Sequence, residues 1–251
     1  MTTTTARVLL VDDVPGERAN FERAFGRGLD SAPSVDRLNE LLRGGAVWDV
    51  AFVDFNLSST TSTGLTALLR LHHERPETRI VTYSQFTESG RTLFAAAGRH
   101  WFSSAALLDK TRNDPRTLVQ YVTTLQAGTN PTPVPWQQRL EWSSLIDSLL
   151  ADASWVRIWA ALRQAAGDMA AVAELLGVEQ GSLRGFKDRA TDAAIAFNTR
   201  FHDVPHPGGT RNKKGILSAF AAEHRHFLMA PDLSTVMSPG SRRRRPAQPP
   251  T

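Results

Sequence analysis

The chain has 251 residues, enough for one large domain or, more usually, two of ordinary size. Hydrophobic residues make up 41%, aromatic residues 8% and charged residues 22%, a balance that excludes a disordered or fibrous protein. Cysteine is absent, which excludes disulfides and thiolate metal sites. No apolar run reaches the roughly 20 residues of a membrane helix. The opening Met1-Thr2-Thr3-Thr4-Thr5 lacks the basic-then-apolar order of a secretion signal, so a cytoplasmic protein without membrane contact is expected.

The net charge of +4 is unevenly placed. Residues 1–127 hold 14 Lys and Arg against 14 Asp and Glu, so the remainder carries the whole excess. Arg242, Arg243, Arg244 and Arg245 account for it arithmetically. Overall basicity is therefore a weak argument for nucleic-acid binding. The arginine run reads as a solvated tail that adds at most nonspecific phosphate attraction.

In chain order, residues 7–13 form a short β-branched run ending in Asp12 and Asp13. Residues 15–25 read as a helix, with Ala19, Phe21, Ala24 and Phe25 recurring at three- and four-residue spacing. Residues 49–54 repeat the buried-strand pattern and end in Asp54, and residues 64–72 return to helix. Residues 79–84 form a strand ending in Ser84, and residues 107–110 a strand ending in Lys110. A strand near position 35 is assigned by elimination. Residues 114–126 make a helix capped by Asp114, with Pro115 in its first turn. Strands alternating with helices imply right-handed βαβ units, and hence an α/β doubly wound parallel sheet of five strands.

Gly128, Asn130, Pro131, Pro133 and Pro135 interrupt regular structure and mark a boundary. Beyond it residues 136–150, 154–166, 169–176, 179–201 and 214–229 read as helices. From residue 231 onward the composition is Pro, Ser, Gly and Arg, and disorder is expected. The expected division is an α/β domain over 1–126, a linker over 127–136, an all-α output domain over 137–230 and a disordered basic tail over 231–251.

In an open parallel sheet, functional groups collect beyond the carboxyl ends of the strands. Asp12, Asp13 and Asp54 should converge there, and three like charges need a cation. Oxygen-only ligands favour Mg²⁺. Ser84 and Lys110, ending two further strands, add a hydroxyl donor and a fixed positive charge. Together these are the parts needed to accept and hold a phosphoryl group.

Residues 6–126 thus resemble the flavodoxin-like receiver domain of bacterial two-component response regulators. The resemblance rests on Asp12 and Asp13 after Val8-Leu9-Leu10-Val11, Asp54 within Phe52-Val53-Asp54-Phe55-Asn56-Leu57, Ser84 and Lys110. It implies that Asp54 is the phospho-acceptor and that Asp13, Asp54 and the Asn56 carbonyl ligate Mg²⁺, with Asp12 acting through metal-bound water. It also implies that Ser84 bonds a phosphoryl oxygen and that Lys110 pairs with Asp54 or its phosphate. Departures from the family pattern are a longer stretch after Asp54 and Thr111 in place of a proline. Leu107 stands where an aromatic switch residue is usual, with Tyr83, Trp101 or Phe102 as possible substitutes.

Residues 169–187 fit a helix-turn-helix. Val172 and the small Ala173 lie on its first helix, Leu176 packs, Gly177 supplies a left-handed turn and Val178 plugs the junction. Leu183 and Phe186 face inward from the second helix. With the preceding helix and Gly167-Asp168, the layout resembles Fis-type domains. On a recognition helix over 179–189, Gln180, Ser182, Arg184 and Lys187 would face double-stranded DNA, with Arg189 near its backbone. Arg211, Lys213 and Lys214 form a second basic segment that, with Arg200 and Arg225, would grip DNA phosphate alongside the motif; the competing reading is a solvated loop. Trp136, Trp142, Trp155 and Trp159 are expected in the helical core or an interdomain contact. His202, His206, His224 and His226 show no metal-ligand spacing.

The first functional expectation is a transcriptional response regulator, phosphorylated on Asp54 by a sensor histidine kinase. It would bind DNA as a homodimer through Leu118, Val119, Tyr121, Val122 and Leu125 of the 114–126 helix. No enzyme activity beyond slow self-dephosphorylation is expected. The competing reading is a phosphorylation-independent receiver protein whose helical domain acts through protein contacts.

Overall fold

Short runs of β-branched and large apolar residues form the sheet. In the computed structural model, which describes residues 6–57, 59–85, 91–112, 114–201 and 213–238, β1 (Val8–Val11) and β3 (Val50–Val53) are buried at every position. With β2 (Leu29–Ala32), β4 (Arg79–Ser84) and β5 (Ala106–Asp109) they make a five-stranded parallel sheet of order β2-β1-β3-β4-β5. Burial on both faces explains why these strands read as continuous apolar runs. The edge strand β2 lies ahead of position 35, where the sequence suggested a strand. Its Leu-Asp-Ser-Ala is half-buried and carries little periodic signal. Residue 35 instead opens helix α2 (Val35–Arg43), whose first turn is capped by the Ser34 side chain.

Alternate strand residues feed two cores. Leu10, Phe52, Val81 and Leu108 face α1 (Pro15–Phe25) and α5 (Pro115–Gln126), packing with Phe21, Leu118, Val122 and Leu125. The expected dimer face of α5 is corrected here. Leu118, Val122 and Leu125 are buried in this core, and Tyr121 packs against it half-buried. Their helical spacing marks an inward stripe, which sequence alone does not distinguish from an outward one.

Leu9, Val11, Ala51, Val53, Ile80 and Leu107 face the opposite way, toward α2, α3 (Gly64–Glu74) and α4 (Arg91–Phe102). This core continues without a break into the helical region. That region comprises α6 (Val134–Leu140), α7 (Leu145–Leu149), α8 (Ala153–Gln164), α9 (Met169–Leu176), α10 (Arg184–Phe201), α11 (Lys213–Glu223), α12 (Arg225–Leu228) and α13 (Leu233–Val236). Arg91 through Gly98 of α4 are all buried, with the sheet on one side and helical-region residues on the other.

Several segments differ from the expected division. The linker is anchored: the Leu107 amide donates to Thr132 Oγ1 (2.8 Å), and α6 begins at Val134. The helix expected over 136–150 breaks around Ser143-Ser144, and Trp142 there is exposed, outside the core. The expected disorder from 231 onward is corrected for residues 231–238. Leu233, Val236 and Met237 are buried, and the apolar residues of α13 fill the seam between α3 and α8. A short apolar turn hidden in a Pro/Ser-rich composition gives no periodic signal. Residues 239–251, including Arg242–Arg245, lie outside the described residues.

Candidate functional site

Parallel register brings the receiver acids together. Val11 pairs with Val53, so Asp12 and Asp54 leave the sheet side by side, one residue beyond β1 and β3. Ser84 pairs with Asp109, which places Lys110 one residue past that level. The Lys110 ammonium lies 2.6 Å from Asp12 Oδ2 and 2.7 Å from Asp54 Oδ2, with all three side chains almost wholly buried. Asp12, Asp13 and Asp54 each offer a carboxylate oxygen within 4.8 Å of the others, a set that could hold a metal ion. Asp54 Oδ1 is buried and has no hydrogen-bond donor among the described residues. Asn56 is exposed at the start of the following loop.

Burial lifts the Asp12 carboxyl to a pKa of about 6, against the pull of Lys110 and with a further push from Asp54. Burial raises Asp54 too, opposed by Lys110 and then by Arg91, a buried arginine at the start of α4. Arg91 carries no motif, and nothing in the sequence marked it. The Ser84 hydroxyl is buried and without a hydrogen-bond partner among the described residues. Three carboxylates around one ammonium leave an excess of negative charge, the condition under which a cation binds.

The loop after Asp54 is tied to the helical region. The Phe55 ring packs against Phe94 of α4 (5.1 Å) and stacks on Phe227 of α12 (5.8 Å). Gly64, opening α3, sits so close to the Asp54 backbone that an added Cβ would lie 1.9 Å from its carbonyl oxygen. Among the aromatic candidates near the site, Tyr83 donates its hydroxyl to Glu17 (2.8 Å) and lies 5.6 Å from Lys110 Nζ. Phe102 is buried against His72. Trp101 donates to Asp147 of α7 (2.9 Å), and His100 Nε2 lies 2.7 Å from the same carboxylate.

The helix-turn-helix geometry is present. Asp168 caps α9, Gly177 adopts the left-handed conformation (φ 65°, ψ 37°), and Val172, Ala173, Leu183 and Phe186 are buried. Trp155 and Trp159 meet Phe186 edge-on, at 4.8 and 5.2 Å. Two details differ from expectation. Val178 is 43% exposed, so it does not plug the junction. The expected recognition helix begins as a 3-10 turn over Gln180–Leu183, and the α-helix starts at Arg184.

Gln180, Ser182, Arg184 and Arg189 are exposed and Lys187 is half-buried. The Arg189 guanidinium lies over Trp155 (5.0 Å), and Ser182 Oγ donates to the Glu179 carbonyl. Lys213 pairs with Asp188 (2.8 Å) and Lys214 with Asp168 (3.4 Å), so both lysines sit beside the motif but face acids. Arg211, His202 and His206 lie outside the described residues. No helix among the described residues is long and apolar enough to cross a membrane.

No protein-family model matches the chain, and no curated protein matches it. Solved structures do. The response regulator RcsB of Salmonella enterica serovar Typhimurium, bound to a promoter with the phosphomimetic BeF3−, is 16% identical, with a TM-score of 0.50 over 86% of this chain and 99% of that one. Another RcsB structure, from Salmonella typhimurium, is 18% identical over 74% of this chain and 90% of its own, with a TM-score of 0.47. A Burkholderia pseudomallei response regulator, with a phosphorylated aspartic acid, a calcium ion and citrate, is 17% identical over 74% and 96%, with a TM-score of 0.37. The likeness is one of fold: a flavodoxin-like receiver sheet followed by a helical C-terminal region.

Proposed function

We propose that this protein is a response regulator that accepts a phosphoryl group on Asp54 and controls transcription through its helix-turn-helix. The observation that carries the reading is Lys110 held between Asp12 and Asp54 at 2.6 and 2.7 Å, beside a buried Ser84 hydroxyl that has no hydrogen-bond partner among the described residues. A carboxylate oxygen of Asp54 attacks phosphorus and forms an acyl phosphate, while the donor's imidazole leaves. Lys110 then follows the charge from carboxylate to phosphoryl oxygen, and Ser84 donates its hydrogen bond to a second oxygen. The all-oxygen set of Asp12, Asp13, Asp54 and the Asn56 carbonyl suits Mg²⁺, which when bound neutralises charge on the incoming phosphoryl group. The donor is a sensor histidine kinase.

Phosphorylation has a short path to the output region, because Phe55 follows the acceptor directly and stacks on Phe227. Homodimerisation would place two recognition elements on a symmetric DNA site. Gln180, Arg184 and Lys187 are the residues for base and phosphate contact. The test is labelling with acetyl phosphate and Mg²⁺: acid-labile phosphate is expected on the native chain and absent from Asp54→Asn. Persistent labelling of that variant removes Asp54 as acceptor.

A second reading is a phosphorylation-independent protein that acts through protein contacts. The exposure of Leu175 (53%) and Val178 (43%) beside the helix-turn-helix turn favours it. Selection of DNA sequences by the full chain separates the two. Enrichment lost in Arg184→Ala supports DNA reading, and the absence of any enriched sequence supports protein contacts.

A further inference from the structure

Beyond the acceptor site, the seam between the two regions holds a cleft of about 310 Å³. One wall is the loop after Asp54, with Leu57, Ser59 and Thr63; the other comes from α8 and α12, with Arg163, Arg225, His226 and Met229. Among the described residues no carboxylate lines it. The nearby Asp232 is committed to Thr63 and Thr66, accepting from both amides and both hydroxyls. Among the described residues neither Arg163 nor Arg225 is in an ion pair, and the Arg225 Nε contact is to the His226 ring at 3.4 Å. Among the described residues, two solvent-exposed guanidinium groups and an imidazole therefore line one cleft with no counter-charge in its wall, an arrangement that favours an anion.

We propose that this cleft binds a compact phosphorylated small molecule. The donor inventory selects the class. Two planar guanidinium forks and one imidazole exceed what the two oxygens of a carboxylate accept, and they suit the three terminal oxygens of a phosphoryl group. Leu57 and Met229 give the remainder of the ligand an apolar wall. The volume lies at the lower end of the roughly 300–1,000 Å³ usual for small-molecule sites, so the ligand is small. Both regions contribute walls, so an occupied cleft holds them together and the ligand acts as a second input alongside any phosphorylation.

The experiment is a calorimetric titration of the full chain with inorganic pyrophosphate. EDTA is present so that the Asp12–Asp54 cluster cannot bind the probe through a metal, and acetate at equal ionic strength is the control. Saturable binding of pyrophosphate, with a rise in unfolding temperature that acetate does not produce, is expected. The Arg163→Gln/Arg225→Gln double variant should bind at least roughly tenfold more weakly, from the loss of two charge-assisted contacts. Arg225→Lys keeps the charge but removes the fork; it should also weaken binding, and it decides the matter if the double variant loses its near-ultraviolet dichroism. Absence of saturable binding, or unchanged affinity in these variants, overturns the proposal. So does displacement of pyrophosphate by double-stranded DNA with a parallel loss of DNA affinity in the variants, which would make the cleft a DNA-backbone contact.

Discussion

Asp232 and Thr66 join α13 of the helical region to α3 of the α/β region: Thr66 Oγ1 donates to Asp232 Oδ2 at 2.7 Å across 166 residues. The same carboxylate accepts from the Thr63 amide (2.7 Å), the Thr63 hydroxyl and the Thr66 amide, so a residue near the C-terminus satisfies the first turn of α3. Asp232 is buried, and hydrogen bonds to charged groups are each worth about 1.5–3 kcal/mol. Asp232→Ala should therefore lower unfolding stability by about 2–3 kcal/mol in urea denaturation. Truncation after residue 230 should cost more, because Leu233, Val236 and Met237 also lose burial.

The raised pKa values of Asp12 and Asp54 carry a definite sign. Asp12 titrates at about 6 in the folded chain and in the ordinary carboxylate range when unfolded, so between about pH 4 and 6 the folded state binds more protons. Stability of the metal-free protein therefore falls as pH rises through that window, and the raised Asp54 acts in the same direction. A loss of order 1–3 kcal/mol is expected. Asp12→Asn should flatten the profile and stabilise the metal-free chain at neutral pH, since it removes one charge from three carboxylates facing one ammonium. Thermal unfolding from pH 4 to 8 with EDTA checks this; a profile that rises with pH would contradict the burial argument.

Lys110 is a buried cation in direct contact with both Asp12 and Asp54. Its removal leaves two buried carboxylates facing each other, and breaking a buried pair on one side costs about 3–5 kcal/mol. Lys110→Met should fall in that range at neutral pH, with much of the loss recovered in Lys110→Met/Asp12→Asn. Such a non-additive cycle identifies a shared charge site. An additive result would mean that the lysine acts through packing alone.

The sheet was legible because its strands are buried on both faces and end in chemically distinctive residues: Asp12, Asp54, Ser84 and Lys110 all stand where the strand reading put them. Gly177 and the buried Val172, Ala173, Leu183 and Phe186 were legible for a similar reason, since a left-handed glycine between two apolar stripes has few alternatives. What was hidden depends on long-range docking. Periodicity shows that Leu118, Val122 and Leu125 share a face of α5 but not what that face meets. Asp147 and Asp232 each bind across the seam, and neither sits in a local pattern that predicts a distant partner. The half-buried edge strand β2 had too few apolar residues to be placed.

Gly177, Gly181 and Gly185 offer a final contrast, because an added Cβ at any of them meets nothing within 4 Å. Only Gly177 has a positive φ, of 65°, so Gly177→Ala should destabilise by about 1–2 kcal/mol despite the open space. Gly185 lies in the first turn of α10, where alanine has the better helix propensity, so Gly185→Ala should stabilise by about 0.5–1 kcal/mol. The two shifts of opposite sign are measurable by denaturant titration. The same alanine also reports on function, since it places a methyl group between Arg184 and Lys187 in sequence on the expected reading surface. A variant that gains stability yet loses DNA affinity puts the close approach of DNA at the start of α10. A variant that gains both stability and full DNA affinity moves the contact away from this turn.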